Sequence, residues 1–191
     1  MKNILIINGH HRNESFSKAI VEAYIKGVEN SDAEIKQINM FNTDVKFIES
    51  NLESNKTEIK NAQDLITWAH HIVWVYPIWW YTMPSKLKAF FEAVFVSGFA
   101  YKYHKKTKRK NPKWDKLLKG KTSRIFATMD APVWYYKIIL RNPNYKMMKS
   151  SLNYCGITSI TATYFGPVKG STQKQRLLWL KKVSQIGQKL K

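Results

Sequence analysis

One cysteine, Cys155, stands in a chain of 191 residues. No internal disulfide can form, and without a Cys/His cluster there is no structural zinc site and no metal centre is expected. Electron chemistry in such a chain calls for a bound cofactor. Acidic residues are scarce too: 13 Asp and Glu face 32 Lys and Arg, a formal charge of +19. No apolar stretch reaches the roughly 18 residues a spanning helix needs, and the run in MKNILIINGH is too short for a signal peptide, so a cytoplasmic location is expected. Neither GxGxxG nor GxxxxGK[ST] occurs, which removes the dinucleotide fingerprint and the nucleoside-triphosphate loop.

The positive charge attracts polyanions, phosphates and acidic surfaces without dictating a fold. It is densest from Lys102 to Lys121, where ten basic residues face only Asp115. No helix-turn-helix, zinc-finger or RNA-recognition pattern surrounds that segment, so a lysine-rich surface is the simpler account and no dedicated nucleic-acid or membrane partner is expected. A hydrophobic fraction of 44% and an aromatic fraction of 14% are far from disordered compositions, and the length suits a single domain over residues 1–191.

The order of elements follows from hydrophobic periodicity. Asn3–Asn8 reads as a strand, and from Ser15, a capping residue, Phe16, Ala19, Ile20, Ala23, Tyr24 and Gly27 recur as one helical face. A weaker strand, Ala33–Asn39, precedes a polar connection from Thr43 to Asn55. Ile59, Ala62, Leu65, Ile66 and Ala69 then mark a helix that leads into His71–Tyr76, a strand apolar on both parities, as a doubly covered central strand must be. A helix from about Pro84 carries Leu87, Phe90, Phe91, Val94 and Phe95. After the basic loop come a strand at Ser123–Thr128, a long aromatic loop, a helix-like stretch at Tyr145–Tyr154, a strand at Thr158–Tyr164 and a closing amphipathic helix. Five strands alternating with helices imply a doubly wound α/β fold, a five-stranded parallel sheet with helices on both faces. Ligands of such sheets bind beyond the carboxyl ends of the strands, where the strand order reverses.

Three strand-end loops carry candidate chemistry. In NGHHRNESFS, His10, His11, Arg12, Ser15 and Ser17 gather at a helix N-terminus, which makes either an anion site or an ordinary cap with solvated neighbours. In YPIWWYTMP, four aromatics in nine residues form either a platform for a planar heteroaromatic ring or filling for the core or a dimer interface. In TMDAPVWYY, Tyr135 can donate a proton or hydrogen bond to a bound ring, and Asp130 either orients a backbone amide or makes a turn before Pro132, the turn being the expectation.

The opening ILIINGH…SFS, the block YPIWWYTMPSKLKAFFEAVF, the following GFAYKY and the late YCGI together resemble the NAD(P)H:quinone oxidoreductase family of flavodoxin-like enzymes, including DT-diaphorase-type and modulator-of-drug-activity-type members. The resemblance implies a flavodoxin-like fold and a flavin, FAD in preference to FMN on account of His10. Its phosphates would lie on His10, Ser15, Phe16 and Ser17, and its ring against Pro77, Ile78, Trp79, Trp80, Thr128 and Met129. It further implies NAD(P)H as co-substrate, a quinone or similar flat acceptor reduced by two electrons in a ping-pong cycle, and a homodimer in which Tyr101 and Tyr103 roof the substrate pocket. Tyr135 corresponds to the family's ring-side tyrosine. Arg141 stands where the family has a pocket histidine, and MDAPVW replaces its glycine-rich loop; Arg141 cannot shuttle protons near neutrality, but its charge can stabilise a reduced flavin. A non-catalytic electron carrier or flavin-binding regulatory subunit is the alternative.

Overall fold

The computed structural model describes residues 1–29, 31–43, 56–104 and 113–190. Its centre is a sheet of five parallel strands: β1 (Lys2–Asn8), β2 (Ala33–Asn39), β3 (His71–Pro77), β6 (Thr122–Thr128) and β7 (Thr158–Phe165), in the order β2-β1-β3-β6-β7. The chain leaves β1 toward one edge and returns through β3 toward the other. The order therefore reverses between β1 and β3, and a crevice opens at their carboxyl ends.

Strand alternation divides the core in two. Leu5, Ile7, Ile72, Trp74, Tyr76, Ile125 and Ala127 face α2 (Lys56–Trp68), α3 (Ser85–Val94) and α5 (Pro143–Cys155). Ile4, Ile6, Val73, Val75 and Phe126 face α1 (Phe16–Val28) and α6 (Gln173–Gln188). Every residue of β3 is buried, as the apolar run on both parities requires. Among the described residues no helix is long and apolar enough to cross a membrane.

Local signals explain the helix boundaries. Ser15 caps α1 by accepting from the Lys18 amide at 3.3 Å, Thr172 caps α6, and Gly156, at φ 103°, ends α5 in the left-handed region that favours glycine. Pro84 is the residue before α3, whose first turn starts at Ser85.

Two readings of the sequence need correction. The aromatic stretch after β6 contains a helix, α4 (Val133–Ile138), which Pro132 introduces and which is too short for helical periodicity to reveal. The basic loop holds an antiparallel pair, β4 (Tyr101–Tyr103) with β5 (Trp114–Lys116). The core of that loop, 105–112, and most of the polar connection from Thr43 to Asn55 lie outside the described residues.

Helices α1 and α6 touch through two glycines. A Cβ on Gly27 would lie 2.1 Å from the Ser184 carbonyl oxygen, and one on Gly187 would lie 2.6 Å from that of Tyr24. At an open helical site Gly→Ala stabilises by about 1 kcal/mol. Here the sign reverses: Gly27→Ala is expected to destabilise by ~1–3 kcal/mol through overpacking, read as a lower urea midpoint with an unchanged slope.

Candidate functional site

The crevice at the switch point begins at Gly9. A Cβ there would meet Leu87 Cδ2 at 2.5 Å and Tyr76 Cβ at 2.9 Å, so only glycine lets the chain turn out of β1 so close to α3 and β3. Two side chains then shape the loop: Asn8 Oδ1 accepts from the His10 amide at 3.2 Å, and His10 Nδ1 accepts from the Arg12 amide at 3.0 Å. The second bond places the ring proton of neutral His10 on Nε2. Burial, followed by the charges of His11 and Arg12, lowers the His10 pKa to about 4.

At the start of α1 the amides of Phe16 and Ser17 find no acceptor among the described residues, as expected of a first helical turn. Ser17 Oγ is buried and also without a partner. An orphaned buried hydroxyl beside open helix amides is an incomplete anion site, because such groups are costly unless something bonds them.

Around this end lies a cavity of about 350 Å³. His10, Arg12, Ser15, Phe16 and Ser17 form one side, Pro77, Ile78 and Trp79 a second, and Thr128, Met129 and Asp130 a third, with Val168 and Lys169 closing it beyond β7. The walls are held by the backbone: Ile78 N–H donates to Thr128 O at 2.7 Å, and Met129 N–H to Phe165 O at 2.9 Å. Asp130 does more than turn the chain. Its Oδ1 accepts from the Lys169 amide at 2.9 Å and its Oδ2 lies 3.5 Å from Lys169 Nζ, so it orients a backbone amide, the less favoured of its two sequence readings.

The structure thus brings nine of the ten predicted cofactor residues to one cavity and leaves Trp80 off its lining. Trp80, at φ 47°, and Tyr81, at φ 68°, are the central pair of a two-residue turn closed by mutual Trp79–Thr82 backbone bonds of 2.9 and 3.0 Å. Such turns favour Asn-Gly, and bulky residues there carry strain of about 1–3 kcal/mol each. A buried polar network holds the turn. Tyr136 Oη donates to Tyr81 O at 2.8 Å and accepts from the Asn144 amide at 3.1 Å, while Asn144 Nδ2 donates to Tyr76 Oη at 2.9 Å. Burial raises the pKa of the Tyr76 and Tyr136 hydroxyls above the ordinary tyrosine range.

Four other predicted residues do not line the cavity. Tyr135 and Arg141 are exposed, on α4 and just after it. Tyr101 and Tyr103 belong to a separate aromatic cluster in which Tyr154 Oη donates to Tyr103 Oη at 2.7 Å and Trp114 stacks on Tyr154 at 4.5 Å. The cavity residues that sequence reading missed, Val168 and Lys169, follow the fifth strand; position at a strand end was the available signal. Cys155 is buried and its thiol is pushed up to about 11 by that burial, so it is no nucleophile at neutral pH.

Residues 2–186 match a protein-family model described as flavodoxin-like fold. An uncharacterized NAD(P)H oxidoreductase of Haemophilus influenzae is 32% identical over 121 residues, covering 62% of this chain and 57% of the relative. An FMN-dependent NADH:quinone oxidoreductase of Macrococcus caseolyticus is 26% identical over 129 residues, 54% of this chain and 60% of the relative. The matches therefore span less than two thirds of either curated relative. The crystal structure of Smu.1420 from Streptococcus mutans UA159 superposes with a TM-score of 0.81 at 27% identity, over 98% of this chain and 99% of the other.

Two outcomes are expected. Tyr136→Phe strips the buried Asn144 amide of its acceptor and the Tyr81 carbonyl of its donor, costing ~1–3 kcal/mol in urea unfolding. Burial lowers the His71 pKa to about 4, as it does for His10. Both rings should keep neutral-imidazole NMR shifts at about pH 5, and their contribution to stability, complete above about pH 6.5, should fall as the pH drops toward 4, because the unfolded chain binds the protons first. A ring already charged at about pH 6 would contradict its burial.

Proposed function

The chain belongs to the protein family with the flavodoxin-like fold, and from that premise we propose that it is a flavin-dependent NAD(P)H oxidoreductase that passes two electrons to a quinone or similar flat acceptor in a ping-pong cycle. The carrying observation is the partnerless Ser17 Oγ beside the open α1 amides, on the same cavity as the apolar wall of Pro77, Ile78 and Trp79. A flavin nucleotide has both complements, an anionic phosphate and a flat apolar ring. A bound flavin supplies hydride transfer from the nicotinamide and onward reduction of the acceptor.

The residues bind, orient and exclude water. Ser15, Ser17 and the Phe16 and Ser17 amides hold the phosphate, with the α1 dipole and Arg12 adding attraction. Pro77, Ile78, Trp79, Thr128 and Met129 form walls whose backbone bonds prevent collapse when the cavity empties. Trp80 extends the apolar surface at the mouth. Tyr135 and Arg141 serve the acceptor side: the phenol donates a proton to a reduced oxygen, and the permanent guanidinium charge stabilises developing negative charge. Both need a closure or a second protomer to reach that position, and a homodimer in which Tyr101 and Tyr103 roof the acceptor is part of the same reading. Use of NAD(P)H agrees with work in the cytoplasm.

FMN is the proposed nucleotide in place of FAD. The sequence argument for FAD rested on His10, which is 7% exposed. Its ring is engaged with the Arg12 amide, stacked on His11 at 4.9 Å and edge-on to Trp79 at 5.9 Å, so none of its contacts offers a shelf for an adenine. The Macrococcus relative is named as FMN-dependent, which supports the same choice.

The absorbance spectrum tests this reading. Purified or FMN-reconstituted protein is expected to be yellow, to bleach with NADH or NADPH and to recover with a soluble quinone. Binding without steady-state NAD(P)H consumption would instead identify a carrier or regulatory subunit. Ser17→Ala is expected to weaken FMN binding about tenfold while leaving the apoprotein equally or more stable, since the hydroxyl it removes has no partner among the described residues. Unchanged FMN affinity would displace the phosphate from this loop.

A further inference from the structure

Four buried side-chain polar atoms have no hydrogen-bond partner among the described residues: Ser17 Oγ, Tyr24 Oη, His71 Nε2 and Arg124 Nε. The first belongs to the cavity. The other three share the face of the sheet that α1 and α6 cover. His71 and Arg124 have the strand parity of Val73 and Phe126, which pack on that face, and Tyr24 reaches it from α1. Because His71 pairs with Thr122 and Val73 with Arg124, the His71 and Arg124 side chains are diagonal neighbours. Lys2 stands diagonal to His71 on the other side, since His71 pairs there with Ile4. The centre of the Tyr24 ring and the guanidinium carbon of Arg124 lie 5.7 and 5.2 Å from the centre of the same Phe126 ring.

All three atoms can donate at once. Tyr24 Oη and Arg124 Nε carry hydrogens, and the His71 ring holds its proton on Nε2 when the Thr122 hydroxyl, 2.7 Å away, donates to Nδ1. The charge around them is uncompensated. Lys2 Nζ donates to the Leu190 carbonyl at 2.6 Å, and Arg124 Nη1 and Nη2 donate to the Thr161 and Thr163 hydroxyls at 2.9 and 2.8 Å. Neither cation meets a carboxylate among the described residues, and Asp32, just before the strand that pairs with Lys2, is engaged with the Met1 ammonium at 2.8 Å. Burial lowers the pKa of Lys2 and of Arg124, and the charges of both add to burial in lowering that of His71. Buried cationic charge without a counter-ion is costly, and buried donors are seldom left unbonded. Water would bring hydrogens of its own and no charge; a small anion accepts from several donors and offsets the cations.

We propose that Tyr24 Oη, His71 Nε2 and Arg124 Nε form a binding site for a small monovalent anion of the halide class, with Lys2 adding to the attraction. A small ion suits side chains as enclosed as Tyr24 and His71, which are 0% and 3% exposed. The neutral imidazole donates as it stands, so no titration is involved. Lys2 and His71 begin their strands, which sets the site toward the amino ends of the sheet, away from the cavity at the carboxyl ends. Binding requires neither flavin nor NAD(P)H and stands or falls independently of the functional reading above. Occupied, the site clamps α1 to β3 and β6, and so steadies the helix whose first turn carries Ser17.

Thermal unfolding at constant ionic strength tests the proposal, with sodium chloride replacing sodium gluconate, whose anion is too bulky for an enclosed site. The full chain should gain about 3–6 °C, saturably, once chloride stands about tenfold above its dissociation constant. Tyr24→Phe deletes an unbonded buried hydroxyl, so in gluconate it should be at least as stable as the wild type, and it should lose most of the chloride gain. A purely structural hydroxyl would instead cost the variant equally in both salts, and that result would overturn the site. Lys181→Glu with Lys182→Glu, on exposed positions of α6, weakens the general attraction for anions and should keep the gain. Crystals soaked in sodium bromide should show an anomalous peak in contact with Tyr24, His71 and Arg124, a measurement that needs no variant. Absence of a saturable gain, the same gain in Tyr24→Phe, its loss in the Lys181/Lys182 variant, or bromide on surface lysines alone would each rule the site out.

Discussion

Strand β3 is the constraint from which the site follows. It is covered by helices on both faces, so its side chains are mostly apolar, and the polar groups of Trp74 and Tyr76 are bonded inside, to Ser123 and Asn144. It also pairs with both β1 and β6, which places its carboxyl end between the two loops that complete the cavity. Anything leaving that end emerges at the point where the sheet order reverses. The aromatic turn, the anion loop and the loop after β6 are neighbours for this reason, although they are far apart in the chain.

The buried polar network shows how a strained turn is maintained there. Tyr76 sits in the most enclosed part of the core, and its hydroxyl would be costly without Asn144. Asn144 in turn positions the Tyr136 hydroxyl that bonds the Tyr81 carbonyl. A further bond of 2.7 Å from Tyr164 Oη to Asn142 Oδ1 ties β7 to the left-handed residue before α5. The turn thus acquires rigidity from four elements and can hold two aromatic residues in a backbone conformation they disfavour. That rigidity fixes both the cavity wall at Trp79 and the direction in which Trp80 is offered to its surroundings.

Period-two and helical patterns over long segments were sufficient to determine the five parallel strands, their alternation with helices, the Ser15 cap and the gathering of His10, Ser17, Pro77, Ile78, Trp79, Thr128 and Met129 at strand ends. Those features depend on local chemistry and on the few ways a βαβ chain can close. Tertiary packing decided the rest. It made α4 a helix although six residues show no period, enlisted Asp130 to hold the Lys169 amide and brought Val168 and Lys169 to the cavity. It left Ser17 Oγ buried without a partner among the described residues, and it left Trp80, Tyr135 and Arg141 exposed and off the cavity lining. Each of these depends on which distant groups become neighbours and on which side of the packed sheet a side chain emerges, and neither property is carried by a residue's immediate sequence neighbours.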